Sequence, residues 1–375
     1  MMLGENAQLG LDTILRKQTK GIPSWLLNPM EHAVLEKYAG VEPGAYKKDY
    51  ENVYLQFQRN IGTCMLDQYI PDNPLTMGDQ GYEGTAHGST TGAEEIICDG
   101  IVIDSPEAVV EHMERFVFPS IIKATEIFDE AAYIKAIIDD HNTIQEKLGP
   151  DILKTLYGFT TFPCLSYGSY GYVHYFCAFA LYPEVMEKHF SLQADYATKA
   201  NTACVKAQKL ADLPLVWRLD HDMADSRGTL VNIKALDDIW FPHFTRCVKP
   251  LTDSDILAIW HCDGNLMDMV PRLLDAGLKG FQGFQYEDGM DYKQICDMKT
   301  SEGEELFIIG GVSVTRTLPF GTPADVKKEM EFLVEYGPKH GLALGGSSSI
   351  TPGVPEQNMS TFIEGLQYYR THGRS

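Results

Sequence analysis

The clearest pattern along the 375 residues is a run of short apolar segments that each stop in polar residues and are followed by an amphipathic stretch. "LPLVWRLDHD" (213–222) is β-rich and ends in charge, and residues 233–248 then carry apolar positions at helical spacing. "ILAIWHCDGN" (256–265) repeats the unit, with "MVPRLLDAG" as its helix; Asp268 is the expected N-cap because Pro271 then falls in the first turn. "LKGFQGFQYED" (278–288), "ELFIIGGV" (305–312) and "LALGGSSSI" (342–350) complete the series. Their helices read as "YKQICDMKT", "PADVKKEMEFLVEYGPKHG" and "NMSTFIEGLQYYRTHG".

Repeated strand-then-helix units predict a parallel sheet. No GxGxxG follows a first strand, so the expected fold is an α/β (β/α)8 TIM barrel with an N-terminal extension rather than an open doubly wound sheet. One domain is expected: residues 1–105 hold the extension and first barrel elements, residues 106–375 the remainder. The first half is less regular. Residues 106–121 and 126–147 look helical, and "LYGFTTFPCLSYGSYGY" (156–172) looks like a strand end opening into a loop. "GIPSWLLNPMEH" (21–32) and "TMGDQGYEGTAHGSTTG" (76–92) read as loops around the barrel mouth.

Composition narrows the function classes. A formal net charge of −21 argues against nucleic acid or an anionic membrane surface as partner. Eight scattered cysteines form no disulfide framework, and the start "MMLGENAQLG" has no basic or apolar leader, so a reduced, cytoplasmic protein is expected. A homodimer is compatible with this reading.

In a barrel the polar strand ends converge on one face, where such folds do their chemistry. By strand alternation His261 and Asp263 share a face and Cys262 points away. That pair, with Asp222 and Glu287, is the candidate catalytic set, able to supply an acid or, through His261, Asp263 and Glu287, to hold a metal. Arg218, Asp220 and Asp222 share the next face, beside His221. Gln285 and Glu287 are expected on one strand face, and Ser347 and Ser348 in a Gly-Gly-Ser-Ser segment that could cradle a phosphate. Trp25, Tyr167, Tyr170, Tyr172 and Trp217 are the expected aromatic wall, and Asn28 is a further expected substrate contact.

The order His-Cys-Asp-Gly-Asn (261–265), Gln-Tyr-Glu (285–287), Gly-Gly-Val (310–312) and Gly-Gly-Ser-Ser-Ser-Ile-Thr-Pro-Gly-Val-Pro-Glu-Gln-Asn (345–358) resembles the uroporphyrinogen decarboxylase-like superfamily, which includes corrinoid-dependent methyltransferases. The resemblance runs from about residue 210 onward. It implies a barrel with its site at the C-terminal face. Uroporphyrinogen decarboxylases carry an Arg-rich N-terminal motif for substrate carboxylates; here "PSWLLNPMEH" has no arginine, and Ser347 to Ser349 stand where a late histidine is expected. The coenzyme M methyltransferase branch holds zinc through His-x-Cys and a late Cys; here His261 matches, Asp263 replaces the thiolate and a serine replaces the late Cys.

The resemblance therefore implies the branch that removes a methyl group from a small, methoxylated aromatic donor and passes it to cobalamin or another corrinoid, on a partner corrinoid protein or free. Zinc held by N/O ligands is the alternative electrophile. A decarboxylase of a smaller acid using Arg218 and Arg227, a metal-dependent hydrolase and a non-catalytic binding module stay open beside it.

Overall fold

The structure, a computed structural model, describes residues 2–72 and 95–374. The segment 76–92 that the sequence suggested as a mouth loop lies wholly outside the described residues. The chain is an α/β protein built on a curled parallel sheet. We label its strands β1 (Met65–Leu66), β2 (Leu153–Lys154), β3 (Leu156–Tyr157), β4 (Val216–Asp220), β5 (Leu257–His261), β6 (Gly280–Gln282), β7 (Phe307–Val312) and β8 (Leu342–Gly346). Six of them form one parallel sheet in the order β8-β7-β6-β5-β4-β3, and β1 pairs in parallel with β2. Short parallel bridges link these pieces: Ser24 with Leu344 of β8, and Trp25 with Met65 of β1. Thr155 alone separates β2 from β3.

The strands are almost wholly apolar and buried, every residue of β5 and β7 included. That is what a sheet covered on both faces requires. One face packs Leu257, Ile259, Phe307 and Ile309 with Trp25 and Met65, in a smaller inner cluster; the other packs Ala258, Trp260 and Ile308 against the surrounding helices. The alternation of strand side chains thus splits the core into two layers.

The strand-and-helix series of the second half is observed as expected, with local differences. The helix after β5 spans Val270–Asp275 with Met269, not Asp268, at its N-cap, although Pro271 does sit in its first turn. Residues 233–248 form two helices, Ile233–Ile239 and Phe241–Thr252, because Pro242 restarts the chain after Trp240. Residues 21–32 are not simply loop: Ser24, Trp25 and Pro29 each bridge to a strand or strand end, and a helix begins at His32. The sequence reading missed the longest element, the helix Pro183–Ala211. From residue 194 onward its buried stripe is mostly alanine (Ala194, Ala197, Ala200, Ala203, Ala207), which gives a weak apolar signal but lets neighbouring helices approach closely. No helix of the described residues is long and apolar enough to cross a membrane.

That helix also carries a pH liability. His189 is 2% exposed; its Nε2 accepts from the Gln193 amide and its Nδ1 has no hydrogen-bond partner among the described residues. Burial pushes its pKa down to about 4. In the unfolded chain it titrates near ~6.5, so between these values the unfolded state holds a proton that the folded state refuses. Stability is therefore full above the unfolded value and falls as pH drops toward 4, with His141, also pushed to about 4 by burial, acting in the same direction. Denaturant midpoints are expected to fall between pH 7 and 4.5, and His189→Asn to make the fall shallower; an unchanged slope in the variant would assign the effect to other groups.

Candidate active site

The site begins with the way β5 and β6 end. β5 stops at His261, and the chain turns through Gly264, whose positive φ of 82° and whose approach to the Asp225 backbone leave no room for a Cβ. β6 stops at Gln282, one residue before Gly283, which has a φ of 70°. A Cβ there would lie 2.3 Å from the Ser347 carbonyl oxygen and 3.0 Å from His261 Nδ1. These two glycines let three strand ends close over one point.

At that point stand His261 and Asp263. His261 Nδ1 lies 3.0 Å from the Gln282 carbonyl oxygen. A carbonyl can only accept, so Nδ1 carries a proton, and Nε2 lies 4.0 Å from Asp263 Oδ1. Asp263 is held at both oxygens: the Gln285 amide donates to Oδ1 at 3.2 Å and the Ser348 hydroxyl to Oδ2 at 3.2 Å. Its backbone N–H donates to Asp222 Oδ1 at 3.1 Å. Burial raises the Asp263 pKa; Asp222 and Asp220 push the same way, while His261 and the Ser348 hydrogen bond resist. Single ligand atoms of Asp222, His261 and Asp263 all lie within 4.8 Å of one another. Cys262 faces away as expected: its Sγ accepts from the Met223 N–H, and burial pushes the thiol up to about 12, so it is no thiolate.

Two cavities meet at this group. The inner one, about 220 Å³, is lined in part by Trp25, Asn28, Asp220, His261, Gln282 and Ser348. The outer one, about 810 Å³ and open, is lined in part by Tyr167, Tyr172, Phe176, Asp222, Asp263 and Gln285. Tyr167, Tyr172 and Phe176 stack there with centroids 4.9 and 5.8 Å from Tyr167, and the Tyr167 hydroxyl donates to the Asp222 carbonyl.

Beneath the inner cavity lies a buried charge network. The Arg218 guanidinium, 5% exposed, donates Nε–H to Asp67 and Nη1–H to Asp220 and to Gln282 Oε1, the latter two at 3.0 Å. The Tyr157 hydroxyl also donates to Asp220, at 3.1 Å, and the ring lies under the guanidinium at 4.7 Å. The Lys154 ammonium, 2% exposed, donates to the carbonyls of Asp67 and Thr155; burial lowers its pKa against the pull of Asp67.

Several expected residues stand elsewhere. Gln285 and Glu287 do not share a strand face, because β6 ends before them; residues 286–288 form a 3₁₀ turn. Gln285 still reaches Asp263. Glu287 instead accepts from the Ser313 and Thr315 hydroxyls, so Asp222 takes its place in the three-ligand group. His221 Nε2 accepts from the Leu165 N–H at 2.9 Å, which makes it a loop anchor. Trp217 is 1% exposed with its indole N–H on the Pro214 carbonyl, and Tyr170, 2% exposed, is bonded to His112; neither belongs to a mouth wall. Ser347 is fully buried and accepts from the Val314 N–H, so Ser348 and Ser349 are the serines that reach the cavity. Arg227 is solvent-exposed and paired with Asp225. Asp67, Gln68, Tyr157 and Gln282 were not singled out from the sequence. Asp67 had a usable signal, since "CMLD" is one more apolar run ending in a carboxylate.

No protein-family model matches the chain, and no curated protein matches it by sequence. Among solved structures it is similar to a methyltransferase from Methanosarcina mazei, with a TM-score of 0.55 and 16% identity over 98% of this chain and 99% of that one. At that identity the likeness is one of fold. A B12-independent methionine synthase from Shewanella sp. W3-18-1 in complex with selenomethionine aligns over 62% of this chain and 65% of its own, at 11% identity and a TM-score of 0.40, too loose to carry an argument.

Removing Asp67 leaves Arg218 buried with one carboxylate instead of two. Asp67→Ala is expected to cost about 3–5 kcal/mol in denaturant unfolding, the usual consequence of stranding a buried charge. A loss below about 1 kcal/mol would show the network to be solvated and dispensable.

Proposed function

We propose that this protein is an enzyme that takes a methyl group from a small methylated substrate and delivers it to a corrinoid, free or carried by a partner protein. We read the curled sheet and the bridges at residues 24–25 as a (β/α)8 barrel, with its site at the C-terminal strand ends. The observation that carries the proposal is the Asp222–His261–Asp263 group between a small polar cavity and a larger one with stacked aromatics. The fold it shares with a methyltransferase from Methanosarcina mazei points the same way.

Breaking a methyl–oxygen bond requires that the leaving oxygen be neutralised as it departs. Asp263 suits that role: burial favours its protonated form, and Ser348 and Gln285 hold the carboxyl in place. His261, its Nδ1–H fixed on the Gln282 carbonyl, orients Nε2 toward the same point. The inner cavity holds the donor. The outer cavity, with its stacked aromatics, leaves the flat, open approach that a planar acceptor needs. When bound, a reduced corrinoid supplies the electron pair that accepts the methyl carbon.

One nitrogen and two carboxylates also fit a divalent cation such as zinc, and the Gln282 carbonyl takes the Nδ1–H of His261, which would leave Nε2 to the metal. Asp222, His261 and Asp263 would hold it, and it would polarise the leaving oxygen in place of the proton.

The test is anaerobic incubation of the protein with reduced cobalamin and a panel of methyl ethers, following loss of the Co(I) absorbance with metal content measured on the same sample. Enzyme-dependent methylation is expected, reduced roughly 100- to 10,000-fold by Asp263→Asn. The pH profile separates the two electrophiles. If Asp263 acts as the acid, the rate falls as pH rises through its raised pKa; if it is a metal ligand, the rate rises with deprotonation and is abolished by chelation. No methylation from any donor would refute the proposal.

A further inference from the structure

The inner cavity does not have the lining that an aromatic donor would need. Among the described residues around it, Trp25 is the one aromatic; near it stand Asn28, Gln68, Gln282, Ser349 and Asp220. Its volume, about 220 Å³, is below the ~300–1,000 Å³ of sites for drug-sized ligands.

Its charge is equally selective. The positive charge of Arg218 is matched by Asp67 and again by Asp220, both in direct contact. A substrate carboxylate entering here would meet no uncompensated cation and would lie against Asp220, with Asp263 and Asp222 beyond it. Beside Trp25, Leu26 and His261, what remains is a set of amides and hydroxyls around an acid, of which Asn28 is bonded to Ser349, Gln282 Oε1 to Arg218 and Ser348 to Asp263. An arene placed against the Gln68 amide, the Gln282 NH2 group and Asp220 offers them no hydrogen bond, whereas hydroxyl groups both donate and accept and so suit amide and carboxylate alike.

We infer that the inner cavity binds a small, neutral, hydroxyl-bearing methyl ether of the polyol or sugar type. The inference rests on the methyl-transfer reading for the fate of the methyl group, but not for binding. In the reaction the methyl C–O bond breaks and its electron pair stays on the oxygen. A proton joins that oxygen to give the alcohol, and the methyl carbon passes to the reduced corrinoid. Such an alcohol is a poorer leaving group than a phenol, which makes the Asp263 position at the seam the more necessary.

The test is binding to the full-length protein without any corrinoid, by titration calorimetry and saturation-transfer NMR. The probes are 3-methoxypropane-1,2-diol, a mono-O-methyl inositol, 2-methoxyphenol and 4-methoxybenzoate. At least one hydroxylated ether is expected to bind about ten-fold or more tightly than either arene. Gln68→Leu and Gln282→Leu are each expected to weaken it by a similar factor, and Gln68→Leu to leave the thermal midpoint unchanged. Equal or tighter binding of an arene, no binding of either hydroxylated ether, or binding indifferent to Gln68→Leu overturns the assignment. If a hydroxylated ether binds as expected but yields no methylated corrinoid, the cavity assignment holds and the methyl-transfer reading fails. If methyl transfer occurs from 2-methoxyphenol alone, the reverse is true.

Discussion

A guanidinium that is 5% exposed has to be neutralised, and the way this chain does it organises the rest of the molecule. Arg218 on β4 is held by Asp67 just past β1, by Asp220 at the end of its own strand and by Gln282 at the end of β6. Three strands that are far apart in sequence are thereby tied at one level of the sheet. The same Gln282 offers its backbone carbonyl to His261, so the charge network below the cavity and the imidazole at its seam share one residue. Charge satisfaction in the core and orientation of the His261 imidazole are therefore a single arrangement.

The next constraint is steric. Gly283 and Gly264 have backbone angles and close contacts that a side chain would not allow, and they bring the ends of β5, β6 and β8 within hydrogen-bonding reach. Ser348 and Gln285 converge on Asp263 from the two sides as a result. Burial favours a proton on that carboxyl against the pull of the Ser348 hydrogen bond, while Cys262, one residue earlier, is directed into packing and kept as a thiol. Alternation along one strand has sorted a cavity-lining group from a packed one.

Much of this was legible in the sequence because buried parallel strands write themselves as apolar runs with polar ends. Those runs located β4 to β8, and two-residue periodicity placed His261 with Asp263 and turned Cys262 away. The errors came where tertiary geometry overrode the period. Gln285 and Glu287 lost their shared face because Gly283 ends β6, so Glu287 found Ser313 and Thr315 instead. Aromatics near the strand ends suggested a wall, but Trp217 and Tyr170 are inward-packed residues with their polar atoms bonded elsewhere. Asp67 was hidden because β1 is two residues long, and the alanine-lined helix 183–211 because small residues give little amphipathic contrast.

On the proposed reading, the group between the two cavities directs an intact methyl to a corrinoid rather than adding water across the bond or removing carbon dioxide. The most direct measurement is 13C NMR of an anaerobic reaction containing a 13C-methyl-labelled ether and reduced cobalamin. Methyl transfer predicts that the label appears as a cobalt-bound methyl carbon, with the demethylated alcohol in equal amount. Label recovered as free methanol would contradict it and mark the same residues as a hydrolytic site.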